Sequence, residues 1–169
     1  MPWESVERVW NCLVELQTCT AYEESGLQWF CEVLEKCALS VDSQENLLTK
    51  KITKVWPSSM SQTAWRCFKQ LFVHVNLNQK NLKHLLHDYA VGINDLDLVV
   101  FPYLWQIALW SRNKIIVEEI INMLRDIHTS LVENLQQDFI TIHGEFIDKC
   151  MEHLICALDN GESGKVSRM

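Results

Sequence analysis

Residues 96–110 read LDLVVFPYLWQIALW, residues 113–135 read NKIIVEEIINMLRDIHTSLVENL, and residues 142–158 read IHGEFIDKCMEHLICAL. All three are amphipathic helical patterns with short breaks between them, and they decide the fold class. In the middle one, Ile116, Ile120, Met123, Ile127 and Leu131 recur at helical spacing, and Ile121, Leu124 and Leu135 widen the stripe. A helix over 113–135 with so broad an apolar face is expected to be covered by neighbours on more than one side. Pro102 falls inside the first pattern, so a turn at 95–100 and a helix over 102–111 are predicted, with the proline in the first turn where its missing N–H costs little. The third pattern predicts a helix over 143–158 with Phe146, Ile147, Cys150, Leu154 and Leu158 inward.

The same periodicity extends toward the N-terminus. Val6, Val9, Leu13 and Leu16 predict a helix over 3–19. Ser25 with Gln28 opens a second, with Leu27, Phe30, Leu34 and Ala38 inward, and Asp42 with Glu45 opens a third that runs to about Val55. Trp56-Pro57-Ser58-Ser59 is a stop. Ser59 or Ser61 caps a helix over 60–76 whose buried side is Trp65, Phe68, Leu71, Phe72 and Val75. Asn76 to Asn78 loosens the pattern. A helix over 79–90 follows, with Leu82, Leu85 and Leu86 inward and Gly92 as its C-cap glycine. The expected fold is all-α: an irregular armadillo/HEAT-like helical repeat array of roughly seven or eight helices, with a closed orthogonal bundle as the alternative. Residues 1–158 form the helical-repeat domain, a fragment of a longer solenoid, and 159–169 read as a disordered tail without apolar period.

Composition agrees. Apolar residues make up 48% of the 169, enough for a core, while 5 Gly and 3 Pro are too few for the turns of an all-β chain. The net charge of −7 shows no basic stripe, which argues against a nucleic-acid partner. No apolar run reaches the length of a membrane span, and the acidic start (Glu4, Glu7) does not resemble a targeting segment. Cysteines stand at 12, 19, 31, 37, 67, 150 and 156. Their number is odd, no CxxC pair occurs, and they read as buried thiols of a reducing compartment, cytoplasmic or nuclear. An exposed tryptophan among the 7 would mark a partner surface.

Candidate chemistry is thin. A cysteine nucleophile needs a base, and His74, His84, His87, His128, His143 and His153 are available, but no spacing singles out a pair. His84 and His87 beside Asp88 could present two imidazoles on one helix face to a metal; a solvated helix edge explains them as well. His143 reads as a capping or packing residue at the head of the last helix. Glu118 and Glu119 are adjacent, so they diverge by about 100° on a helix and read as solvated face rather than an acid pair. No phosphate-binding glycine loop precedes a helix. No catalytic, cofactor-binding or metal residue is therefore assigned, and no cofactor is expected.

Leu96-Asp97, Tyr103-Leu104-Trp105, His128-Thr129-x-Leu131 and Ile142-His143-x-x-Phe146-Ile147-x-x-Cys150 resemble the helical region of the very large ubiquitin-specific proteases, the fat-facets-type enzymes and their relatives. Helix 3–19 and residues 26–39 fit the same region less distinctively. In that family a separate peptidase domain cleaves after the ubiquitin C-terminus with a Cys box and a His box. Cys12, in WNCLVE, lacks the Gly and Asn context of the first, and no histidine lies in the Gly-rich, Tyr-containing context of the second. The resemblance carries over no catalytic residue. It implies a non-catalytic scaffold segment of a deubiquitinase whose partners are proteins: adjacent repeats, the catalytic domain or substrates. Such a segment is expected to expose apolar surface at helix 3–19 and helix 143–158. A free-standing helical adaptor unrelated to ubiquitin is the alternative; a small Cys/His enzyme is the third.

Overall fold

The computed structural model describes residues 1–12, 30, 32, 38–54, 57–84 and 91–166. Within them the helices are α1 (Trp3–Trp10), α2 (Val41–Lys50), α3 (Gln62–Asn78), α4 (Phe101–Trp110), α5 (Lys114–Thr129), α6 (Glu133–Gln136) and α7 (Phe139–Val166). Two 3-10 turns, Ile52–Lys54 and Pro57–Ser59, follow α2. A two-stranded antiparallel ribbon, β1 (Leu82–His84) and β2 (Val91–Ile93), lies between α3 and α4. The fold is an all-α, irregular armadillo-like array in which elements pack mostly on near neighbours in sequence: α1 on α2, α2 on α3, α4 on α5, α5 on α7.

Helix α3 is the centre. Ser61 caps it, its Oγ accepting from Ala64 N at 3.2 Å. Phe68 is fully buried and meets Trp65, Phe72 and Tyr103 at ring distances of 5.6, 5.8 and 5.5 Å. Trp65, Leu71, Phe72 and Val75 are buried beside it, as their spacing predicts. At the N-terminal end, Trp10 meets Phe30 edge-on at 4.8 Å. Lys51 is buried yet bonded, to Asn11 Oδ1 at 3.2 Å and Glu7 at 3.5 Å, which ties α1 to the end of α2. Helix α2 begins after Ser40, whose hydroxyl bonds Ser43 Oγ at 2.7 Å; no side chain caps the helix, so the expected Asp42–Glu45 box is not used.

Over its described residues, 79–84, the helix predicted for 79–90 is not present: residues 82–84 are β1, and Gly92 pairs with Lys83 inside the ribbon instead of capping a helix. Lys80 takes a positive φ of 65° and turns the chain out of α3. The ribbon is fixed from outside. Ile93 N donates to the Ser130 carbonyl at 2.8 Å, and Val132 N donates to the Ile93 carbonyl at 3.0 Å. That bridge also ends α5 at Thr129, where one helix over 113–135 is predicted, because Ser130 to Val132 spend their backbone groups on β2. Pro102 sits in the first turn of α4, as expected, behind Val100 at φ 57°. Ala38 is exposed and outside any helix, so it is not part of an inner face. Leu13, Leu16, Leu27, Leu34, Leu85 and Leu86 lie outside the described residues.

The last helix starts at Phe139 and runs to Val166, past the point where the apolar period ends. Helical backbone thus extends into the stretch whose composition predicts disorder. No proline follows Pro102, so nothing in that stretch forbids the ladder. No helix among the described residues is long and apolar enough to cross a membrane.

Candidate interaction surface

Helix α7 is fastened to the array by one side only. Ile142 is buried and Phe146 half-buried. The Phe146 ring stacks on His128 at 4.0 Å and 25° and touches Trp105 at 5.8 Å, and Trp105 meets His153 at 5.0 Å. His128 Nδ1 must carry its proton, since its partner, the Leu124 carbonyl at 2.7 Å, can only accept. A cleft of about 230 Å³ opens there between α4, α5 and α7, lined by Phe101, Trp105, His128, Glu145, Phe146 and Lys149, among others. Among the described residues, Trp105 Nε1, His143 Nε2 and His153 Nε2 are buried without a partner.

Burial lowers the His128 pKa from its ordinary 6.5; the nearby His143 lowers it further, and the Leu124 bond opposes both. A histidine held neutral in the fold contributes stability that is complete above the unfolded value and is lost as pH falls from there through the folded value. Urea unfolding of the wild type and His128→Phe at pH 7.5 and 5.5 is therefore expected to show the stability difference moving in the variant's favour at the lower pH. A pH-independent difference would mean His128 titrates alike in both states.

The opposite side of α7 is open. Ile147, Cys150 and Leu154, predicted inward, are exposed, and Ile140, Met151 and Ile155 join them; Ile140 is 86% exposed and Ile147 58%. The pattern is helical, but its apolar arc is wider than the contact that α4 and α5 make. Ile121 on α5 is likewise 56% exposed, so that helix is not covered on every apolar side. The other expected open face, helix 3–19, is covered over its described residues: on α1, Val6 and Trp10 are buried and Val9 is partly buried. Trp110, at the end of α4, is 66% exposed and is the exposed tryptophan among the described residues.

A second concavity, about 530 Å³, lies between α3, the ribbon and α5. Phe72, Leu82, Ile93 and Ile127 line it with Lys69, Glu119, Asn122 and Asp126. Glu119 is engaged at its edge, accepting from Trp65 Nε1 at 2.8 Å and pairing with Lys69 at 3.6 Å, while Glu118 points to solvent; the two carboxylates do not act together.

The remaining candidates are scattered. Cys12, Cys150 and Cys156 are exposed and Cys67 is buried, all as free thiols, so the expectation of buried cysteines fails for three of the four described. Partial desolvation pushes the Cys150 thiol pKa up. Cys19, Cys31, Cys37, His87 and Asp88 lie outside the described residues. His84 stands on β1, so the helical spacing proposed for a metal pair does not apply to it. His74 is exposed on α3. His143 lies in the second turn of α7, its ring tilted against Phe139 at 3.9 Å, rather than at the helix head. Among the described residues, no three His, Cys, Asp or Glu side chains group to hold a metal.

Fold and surface together define a helical array with an unpartnered apolar helix face. Residues 1–76 match the family described as the UBP24/USP9X/USP9Y ARM repeat. Over nearly the whole chain the sequence is similar to mouse ubiquitin carboxyl-terminal hydrolase 9Y (28% identity, 91% of this chain) and mouse ubiquitin carboxyl-terminal hydrolase 24 (28%, 92%). It is also similar to the probable ubiquitin carboxyl-terminal hydrolase FAF of Drosophila melanogaster (24%, 89%). The chain spans only about 5–6% of the length of these relatives. The chain thus resembles the armadillo-repeat region of large ubiquitin hydrolases, as its sequence motifs imply. Those motifs lie mainly over 96–150 and the family match over 1–76, so both halves carry the likeness.

Proposed function

We propose that this chain is a non-catalytic scaffold segment of a large deubiquitinating enzyme, acting by protein–protein contact in the cytoplasm or nucleus. Residues 1–158 are its helical-repeat domain, 159–169 lie outside it, and it holds no catalytic, cofactor or metal site. The exposed apolar face of α7 is the observation that carries the reading, since contiguous exposed apolar surface marks a site of association. The similarity to an ARM-repeat region, rather than to a peptidase domain, supports it from an independent side. Cys150, the described cysteine with a resolved shift, is moved away from the thiolate that a nucleophile requires.

Incubating the purified chain with a ubiquitin probe carrying a C-terminal thiol-reactive group tests this. No adduct is expected, with the helical circular dichroism intact. One cysteine labelled stoichiometrically would overturn the reading and place an active site among these helices.

A further inference from the structure

Helix α7 presents three faces about 120° apart at 100° per residue. The first, with Ile142, Phe146 and His153, meets the array. The second is the exposed apolar stripe of Ile140, Ile147, Met151 and Leu154. The third is a row of exposed carboxylates, Glu145, Asp148 and Glu152, at spacings that stack them on consecutive turns. None of the three forms an ion pair among the described residues. The row borders the stripe on one side and, through Glu145, the cleft against the array on the other.

We propose that this face docks an amphipathic helix of a partner protein, with apolar residues on the stripe and lysine or arginine along the edge that meets Glu145, Asp148 and Glu152. The inference rests on the reading of the chain as a protein-binding segment and names the chemistry of the partner. A helix laid on a helical stripe is read through anchors one or two turns apart, and the stripe supplies them at 140, 147, 151 and 154. Charge selects among candidates. A second copy packed antiparallel about a two-fold axis would set the acidic rows against each other, in a chain that already carries −7. An anionic lipid surface is disfavoured by the same carboxylates. A basic flank satisfies all three at once.

Two synthetic helical peptides with the same leucine face, one flanked by lysine and one by glutamate, provide the probe. Their binding to the full chain is followed by fluorescence anisotropy. The lysine-flanked peptide is expected to bind about tenfold more tightly, with the gap narrowing as salt is raised. Glu145→Lys with Asp148→Lys and Glu152→Lys should abolish or invert that preference. Ile147→Asp with Leu154→Asp should remove binding of both peptides; these positions are exposed, and circular dichroism checks that the fold is kept. Equal binding of the two peptides, no binding, or a lysine preference that survives the charge reversal would overturn the proposal. So would a dimer of the chain, seen by sedimentation, that Ile147→Asp dissolves. Any of these leaves the non-catalytic reading to the thiol-probe result, which does not depend on α7.

Discussion

Phe68→Ala is expected to lower the unfolding free energy by about 3–5 kcal/mol, the range for deleting a buried aromatic ring. The ring is fully buried and is shared by three aromatic neighbours from two helices: Trp65 and Phe72 on α3, Tyr103 on α4. No flexible side chain among those contacts can collapse into the space, so the loss should lie toward the upper end. Domains of this size hold about 5–15 kcal/mol in all. The variant should therefore show a large drop in urea midpoint and partial unfolding near physiological temperature. A change below about 1 kcal/mol would mean that α3 and α4 do not close on this ring. Because α4 also carries Trp105, against which α7 rests, the α7 face should lose definition along with the core.

How far the sequence led can be judged at particular residues. Period alone located α3 and its buried side, because a helix covered along one face writes its contacts directly into the spacing; of the two expected caps, Ser59 and Ser61, the structure uses Ser61. Pro102 placed the start of α4 for a local reason that no tertiary contact needs to supply. The ribbon was not legible. Leu82, Leu85 and Leu86 have helical spacing, and what makes residues 82–84 a strand is pairing with Val91–Ile93 and, through Ile93, with Ser130 and Val132 far along the chain. The open face of α7 was half legible. Spacing shows that Ile147 and Leu154 are apolar and co-facial, but it does not show whether anything lies opposite them. The acidic row beside them was in plain sight as residue types and acquired meaning only once the stripe proved exposed.

Asn76 is the residue that local pattern misjudged most. It reads as a loosening at the end of a helix, yet it is fully buried within α3. Its Nδ2 donates to the Phe72 carbonyl at 2.8 Å, and its Oδ1 accepts from Val99 N at 2.8 Å and from Asn81 Nδ2 at 3.2 Å. Asn81 in turn donates to the Asp97 carbonyl at 2.9 Å, while its own carbonyl accepts from Asn94 N and Asp95 N. One amide thus organises both the exit from α3 and the segment that delivers the chain to Val100 and α4. Asn76→Ala would leave the Val99 N–H unpaired next to the core, and a buried orphan of that kind costs about 1–3 kcal/mol beyond the bonds lost. A total of about 2–4 kcal/mol is expected. Hydrogen exchange distinguishes this from a general loss of packing. Protection should fall first over 91–100 and at the start of α4, before α2 and the first half of α3 are affected. Uniform loss across the chain would instead make Asn76 an ordinary packing residue. If the local pattern is found, the hold of α4 on α7 through Trp105 should weaken next, since the loop that Asn76 anchors is what sets α4 against α3.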